Sequence, residues 1–157
     1  LHDFFRICSD RLRPHGKMAL QAITLGDHDY ASHTRTTDFI QRYIFPGGEL
    51  VSIGALQRAM TAATDFRMTH LEALTAHYAE TLRRWRTRYH QNLRAISRLG
   101  RDRRFLRTWD YYFSYCEGGF EEREIGLLQV IFEKPEARRE RASSLQLPDP
   151  VGRKSLR

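Results

Sequence analysis

The sequence predicts an α/β fold, in which helices pack against a sheet of buried strands. A short amphipathic helix leads through a Pro-x-Gly turn into an apolar strand, and two long amphipathic helices follow later in the chain. A second continuous apolar run, Ile125 to Phe132, comes after those helices. With 157 residues, of which 41% are hydrophobic, the chain is long enough for one domain with a buried core.

The first predicted unit is a helix followed by a strand. Apolar residues recur at steps of three and four between Asp3 and Leu12, and Asp3 is placed as a helix N-cap. Pro14-His15-Gly16 ends this helix, and Met18 to Leu25 (MALQAITL) is apolar enough to be a buried strand. Together they form half of a βαβ unit.

The middle of the chain alternates polar and amphipathic segments. Gly26 to Thr37 is rich in turn formers and is predicted to be a mobile loop, after which Thr37 or Asp38 caps a short helix. A turn at residues 46–48 (PGG) follows, because Pro presets φ and Gly tolerates positive φ. Ser52 caps the next helix, and Phe66 to Leu74 alternates as a strand does.

Two long helices are predicted to form a hairpin. The first runs from about Ala76 to Leu99 and is ended by Gly100, and the second carries an apolar stripe from Phe105 to Phe120. After the strand Ile125 to Phe132, residues 135–157 are basic, with little to bury. We therefore expect a domain over residues 1–134 and a disordered tail over residues 135–157.

Composition limits the classes of function. The net charge of +7 attracts polyanions, either nucleic acid or anionic lipid headgroups, although arginines spread along helices are also typical of a solvated face. Cys8 and Cys116 indicate neither a disulfide framework nor a zinc site. No apolar run reaches the roughly 18 residues that a membrane crossing needs, and no signal peptide opens the chain, so we expect a cytoplasmic protein.

Motifs for metal and phosphate binding are missing from the sequence. His28 and His33 lie close to acidic residues, but a flexible loop holds no converging ligand set, so we predict no metal site. The ten glycines form neither GxGxxG nor GxxxxGK[ST].

Three segments resemble one known family. Phe39 to Leu50 (FIQRYIFPGGEL), His77 to Trp85 (HYAETLRRW) and Trp109 to Phe120 (WDYYFSYCEGGF) resemble signatures of the cyclopropane fatty acid synthase and mycolic acid cyclopropane synthase family. Gln129 in LLQVIF also matches, and the resemblance covers about residues 2 to 134. These enzymes are S-adenosylmethionine-dependent methyltransferases that act on lipid acyl chains.

The resemblance implies the C-terminal half of a class I (Rossmann-like) methyltransferase sheet, with a helical insertion that covers the acyl pocket. The family's acidic-Gly-x-Gly cofactor loop would lie upstream of Leu1. The chain therefore looks like a fragment that is inactive alone and carries no cofactor-binding residue of its own.

The resemblance also implies a set of site residues. A bicarbonate site falls on Tyr78, Gln21 and Ile23, and the acyl and methyl pocket falls on Phe45, Leu82 and Cys116. From periodicity alone, Tyr78, Leu82 and Phe45 are core residues. Gln21 stands where well-studied members carry His, and a glutamine cannot titrate near neutral pH, so the product type is left open.

The implied function is transfer of a methyl or methylene group from S-adenosylmethionine to the double bond of an unsaturated phospholipid acyl chain, with bicarbonate as proton acceptor. The partners would be such lipids and the anionic inner membrane surface, not nucleic acid; a homodimer is left open. Two alternatives remain. One is the same fold acting on another acceptor, giving a methyl-branched lipid or methylating a small amine. The other is a non-catalytic basic module that binds membrane or nucleic acid.

Overall fold

The computed structural model describes residues 1–135, and the predicted tail from residue 136 onward lies outside them. The elements are α1 (His2–Arg11), β1 (Lys17–Leu25), α2 (Asp27–His33), α3 (Phe39–Tyr43), α4 (Ile53–Ala63), β2 (Arg67–Ala73), α5 (Thr75–Gln91), α6 (Leu93–Arg98), α7 (Arg103–Glu121) and β3 (Ile125–Glu133). The predicted α/β class is confirmed, and so are the hairpin of long helices and all three strands.

The three strands form one antiparallel sheet in the order β1-β3-β2. Residues of β1 pair with β3 from Lys17↔Glu133 to Leu25↔Ile125. On the outer edge of β1, the Leu25 N–H donates to the Val51 carbonyl over 3.0 Å, in a single parallel bridge. No strand of residues 1–135 covers the rest of that edge.

Each face of the sheet carries its own core. α1 and α4 cover one face, and their cluster is Phe5, Leu56, Met60, Phe66, Leu128, Val130 and Phe132. α5 and α7 cover the other face, and their cluster is Ala79, Leu82, Tyr112, Phe113, Phe120 and Leu127. Because β3 lies in the centre of the sheet and supplies both clusters, its sequence is apolar almost without interruption.

Two predictions for the sheet and its neighbouring loop were wrong. β1 is not buried on both faces, since Lys17, Ala19 and Gln21 are exposed along this edge strand. The predicted mobile loop is mostly α2, which starts just after Gly26. Carboxylates in the first turn of α2 favour the positive end of the helix dipole, and Asp27 ties the helix to α4.

The long helix predicted from Ala76 to Leu99 is divided at Asn92, which ends α5 and begins α6. The Asn92 side-chain amide donates to the Arg88 carbonyl over 2.7 Å. An asparagine that bonds the preceding turn in this way competes with the helical hydrogen bonds, which explains the division.

The predicted helix starts at Asp38 and Ser52 are confirmed, whereas the predicted cap at Asp3 was wrong, because Asp3 lies in the first turn of α1 and Leu1 is the N-cap. Asp38 forms a capping box with Gln41, and the buried Ser52 hydroxyl accepts from the Ala55 N–H over 3.1 Å. Ser52 also donates to Asp27 Oδ1 over 2.6 Å, and the Gly54 N–H donates to the same oxygen over 3.1 Å. These bonds fix α2 against the start of α4. The hydrogen bond from Ser52 is the main cause that lowers the pKa of Asp27.

Replacing Gly54 by Ala is expected to destabilise the fold by about 1 kcal/mol, because the added methyl group would push the Asp27 carboxylate away from its hydrogen bonds with Ser52 and the Gly54 N–H. The matched control is Gly118→Ala within α7, where the methyl group meets no atom within 4 Å and Ala is the better helix former. Urea unfolding of both variants tests this. A Gly54→Ala midpoint equal to or above that of Gly118→Ala would contradict the close contact.

Candidate functional site

A cavity of about 850 Å³ lies at the end of the sheet where β1 finishes and β3 begins. Its wall comes from the start of the chain at α1, the C-terminal part of β1, α2, the segment between α2 and α4, the first turns of α4 and α5, and one face of α7. The lining is mainly apolar and includes Ile23, Ile40, Phe45, Tyr112, Phe120 and Ile125. A long hydrocarbon chain is the kind of ligand that such a volume and lining accept.

Four of the six residues predicted for the site line this cavity: Ile23, Phe45, Tyr78 and Cys116. Leu82 is fully buried in the core between α5 and α7 and does not line it. Gln21 is also outside the lining, because it is exposed on β1 and its Oε1 accepts from Gln129 Nε2 over 2.9 Å.

Tyr78 projects from the first turn of α5 and is held by ring contacts. Its ring meets Phe120 edge-on at a centroid distance of 4.9 Å and Trp85 at 6.1 Å. Among residues 1–135, no group forms a hydrogen bond with its hydroxyl. Tyr78 is half-buried, so its hydroxyl is an available donor beside the cavity.

The cavity wall contains hydroxyl and thiol groups whose pKa values are raised, together with the acidic side chains of Asp29, Asp38, Glu49 and Glu124. Burial, and then the neighbouring Cys116, raise the pKa of Tyr78. Burial first, with Cys116 and Tyr78 adding to it, raises the pKa of Tyr112 to about 12. Burial and then Asp38 raise the pKa of the Cys116 thiol to about 11, so this cysteine is not a thiolate nucleophile. Tyr78, Tyr112 and Cys116 can therefore donate hydrogen bonds into the cavity without being negatively charged themselves.

The sequence did not identify His33, Tyr112 and Tyr115 as site residues, although all three line the cavity. Tyr112 lay on the recognised apolar stripe of α7, so its periodicity predicted core and gave no sign of a site. The sequence places His33 in a polar loop without a converging set of ligands. It lies at the end of α2, and its Nε2 is buried without a hydrogen-bond partner. Within the described chain, no three His, Cys, Asp or Glu side chains converge as a metal site.

Comparison with known proteins places the chain in a family. The family model described as mycolic acid cyclopropane synthetase matches residues 1–130. The chain belongs to this family. The predicted resemblance is thus confirmed for most of the sequence that forms the sheet, the helical hairpin and the cavity.

Two curated members of the mycolic acid cyclopropane synthetase family illustrate the relationship. Tuberculostearic acid methyltransferase UfaA1 of Mycobacterium tuberculosis is 38% identical over 126 residues, which are 80% of this chain and 30% of that protein. Cyclopropane-fatty-acyl-phospholipid synthase of Escherichia coli is 31% identical over 133 residues, which are 83% of this chain and 32% of that protein. The chain spans about a third of the length of these relatives.

The fold is shared with solved members. Mycolic acid cyclopropane synthase CmaA1, complexed with SAH and CTAB in its crystal structure, superimposes with a TM-score of 0.73 at 28% identity. The match covers 85% of this chain and 49% of that one. The chain thus has the mixed α/β fold of part of an S-adenosylmethionine-dependent methyltransferase. None of its described helices combines the length and apolarity needed to cross a bilayer.

Proposed function

We propose that this chain is the acyl-binding, C-terminal part of an enzyme that transfers a methyl or methylene group from S-adenosylmethionine to the double bond of an unsaturated phospholipid acyl chain. The observation that carries the proposal is the apolar cavity of about 850 Å³ in a member of a lipid-modifying family. A cavity whose lining surface is mainly apolar suits the hydrocarbon of an acyl chain.

We assign complementary roles to the cavity residues. Phe45 and Tyr112, whose rings meet edge-on at 5.9 Å, form an aromatic wall. Such faces stabilise positive charge that develops on the acyl chain. Tyr78 offers its unpartnered hydroxyl as a hydrogen-bond donor to a small anion, and Ile23 lies on the same wall. In this proposal the anion is bicarbonate, and the surrounding apolar residues exclude water.

Gln21 and Leu82 have indirect roles in this proposal. Gln21 lies on the same face of β1 as Ile23 but two residues earlier, and its amide is engaged with Gln129. It therefore stiffens the strand pair next to Ile23. Leu82 supports the helix that carries Tyr78 from within the core.

The residues present do not fit the cofactor itself. Residues 1–135 contain no Gly-rich loop at the end of a strand, so we assign S-adenosylmethionine to a neighbouring half of the sheet. The uncovered outer edge of β1 offers the backbone groups to which such a half would pair. When bound, this cofactor supplies the methyl group. We expect the chain alone to be inactive.

The test is expression of the gene that encodes this chain, with whatever residues flank residues 1–157, in bacteria fed methionine that carries a trideuterated methyl group. Mass spectrometry of the phospholipids should show unsaturated acyl chains that have gained one labelled carbon. Label in a small amine, with acyl chains unchanged, would overturn the proposed acceptor. Unlabelled lipids and amines in cells that contain the protein would contradict methyl transfer.

A methyl-branched product is the second candidate. It is favoured by the 38% identical relative, which is named as a tuberculostearic acid methyltransferase, and by the position of Gln21 away from the cavity. The same experiment separates the two products. Methyl transfer leaves a carbocation that must lose a proton. Loss from a neighbouring carbon of the acyl chain gives a methyl branch that keeps all three deuterium atoms beside a remaining double bond, whereas ring closure to a cyclopropane releases one deuterium from the methyl group.

A further inference from the structure

A surface beside the cavity combines exposed aromatic rings with arginines, and we call it the aromatic-arginine patch. It is formed by α3 and by α7 from Arg103 to Tyr115. Its members are Phe39, Arg42, Tyr43, Arg103, Arg104, Arg107, Tyr111 and Tyr115. Neither the predicted site nor the roles proposed above use these residues.

The rings of the patch form a connected group around Phe39. The Phe39 ring lies 4.7 Å from Tyr111, 5.5 Å from Tyr43 and 6.1 Å from Tyr115, and Tyr111 stacks on Tyr115 at 5.8 Å. The three tyrosines are nevertheless 52%, 53% and 44% exposed, in chain order. Tyrosine rings in this position are typical of a membrane interface, where the ring contacts acyl chains and the hydroxyl stays at headgroup level.

The arginines of the patch are not neutralised by the rest of the described chain. Arg103, Arg104 and Arg107 line a shallow cavity of about 550 Å³ together with Phe39, Thr108 and Tyr111. No carboxylate of residues 1–135 forms an ion pair with any of these three. The patch therefore offers guanidinium groups that are free to bind phosphate.

At the other end of the same helical hairpin, the arginines are paired with carboxylates. There Arg83 pairs with Glu80, Glu117 and Glu121, while Arg84 pairs with Glu80. Arg86 pairs with Asp110. The arginines of the hairpin that form no ion pair within residues 1–135 thus lie toward the end where α5 finishes and α7 begins; they are those of the patch together with Arg88, Arg94, Arg98 and Arg101. This end of the hairpin complements an anionic surface.

The patch and the cavity share one rim. Phe39 belongs to the patch, whereas its neighbours Asp38 and Ile40 line the cavity, and Tyr115 contributes to both. A lipid whose acyl chain occupied the cavity would leave its phosphate near this rim. Duplex nucleic acid would use the arginines but would not explain an apolar cavity next to them.

We propose that the aromatic-arginine patch docks the protein on a phospholipid bilayer. Arg103, Arg104 and Arg107 bind lipid phosphates, and Tyr43 and Tyr111 enter the headgroup layer. The passage of an acyl chain from the bilayer into the cavity rests on the proposed function, whereas the docking itself does not. Each arginine near an anionic membrane surface adds separately to the affinity for that surface. Loss of all three should therefore weaken binding on the order of 100-fold.

The test is binding of the 157-residue chain to vesicles of phosphatidylglycerol and phosphatidylcholine, measured by cosedimentation. The variant is Arg103→Gln, Arg104→Gln and Arg107→Gln together. The matched control is Arg11→Gln, Arg13→Gln and Arg67→Gln, which removes the same charge from exposed positions in α1, the turn after it and β2. The patch variant should lose on the order of 100-fold in affinity, and the control less than about 10-fold. Equal losses of vesicle affinity in the two variants would contradict docking through the patch and would indicate that the overall positive charge attracts the chain.

Further measurements distinguish a bilayer from other ligands, and they separate the docking proposal from the proposed methyl transfer. Soluble glycerol phosphate should not displace the chain from vesicles, because it offers no bilayer for the tyrosine rings to enter. Displacement would mean that the patch binds phosphate alone, and it would overturn docking on a bilayer. Patch-dependent binding to duplex DNA without vesicle binding would also overturn the proposal. Urea unfolding of both variants should match the parent. Since docking is measured without methyl transfer, unchanged cellular lipids alongside intact docking would refute only the proposed function.

Discussion

Replacing Phe132 by Ala is expected to destabilise the chain by about 3–5 kcal/mol. Phe132 is 0% exposed at the end of the central strand, and its ring contacts Phe5 at 5.4 Å and Phe66 at 6.3 Å. The substitution removes the side chain that joins α1 to the sheet and leaves a cavity that rigid neighbours only partly fill. Since domains of this size have about 5–15 kcal/mol of stability, much of the molecule would be unfolded at modest urea concentration.

Phe45→Ala is the matched control for this experiment. It removes the same atoms from a side chain that is 51% exposed at the cavity, so it should cost less than about 1.5 kcal/mol. Urea unfolding followed by far-ultraviolet circular dichroism gives both free energies. Equal losses for the two variants would mean that Phe132 is not a central packing residue, and the described core would be wrong.

The sequence predicted the sheet well where a local pattern coincides with burial. β3 reads as apolar because both faces of a central strand are covered, and Ser52 and Asp38 were recognised because caps act within three residues. α2 was missed because it is held by Asp27, whose partners Ser52 and Gly54 lie 25 and 27 residues further along the chain. No window centred on α2 contains that information.

The candidate site shows the same contrast between residues that the sequence identifies and contacts that only the fold creates. Tyr78, Phe45, Ile23 and Cys116 were named by resemblance, and the fold places all four on one cavity. For Gln21, the sequence could not show that the cross-strand register puts Gln129 directly opposite and engages both amides. The aromatic-arginine patch likewise depends on α3 and α7 meeting at Phe39 and Tyr111, which are 72 residues apart in the sequence (111 − 39).

Replacing Tyr78 by Phe in the enzyme encoded by this gene is expected to lower methyl transfer to acyl chains by about 10–100-fold, the effect of losing one hydrogen bond to a charged group. The ring contacts with Phe120 and Trp85 remain, so stability should not fall. Labelled phospholipid formed at equal protein level measures the effect. Tyr112→Phe, which removes another hydroxyl from the same wall, should change activity only a few-fold; the reverse order of effects would move the anion site to Tyr112.

The pH dependence gives the Tyr78 assignment a second, independent check. Burial raises the pKa of Tyr78 above the ordinary tyrosine value of about 10, so the hydroxyl stays protonated and keeps donating throughout neutral pH. The ratio of parent to Tyr78→Phe activity should therefore be constant between about pH 6 and about pH 8.5. A ratio that changes about tenfold per pH unit in this range would mean that the Tyr78 hydroxyl itself exchanges a proton. Tyr78 would then act as an acid or base, and holding an anion would no longer describe its role.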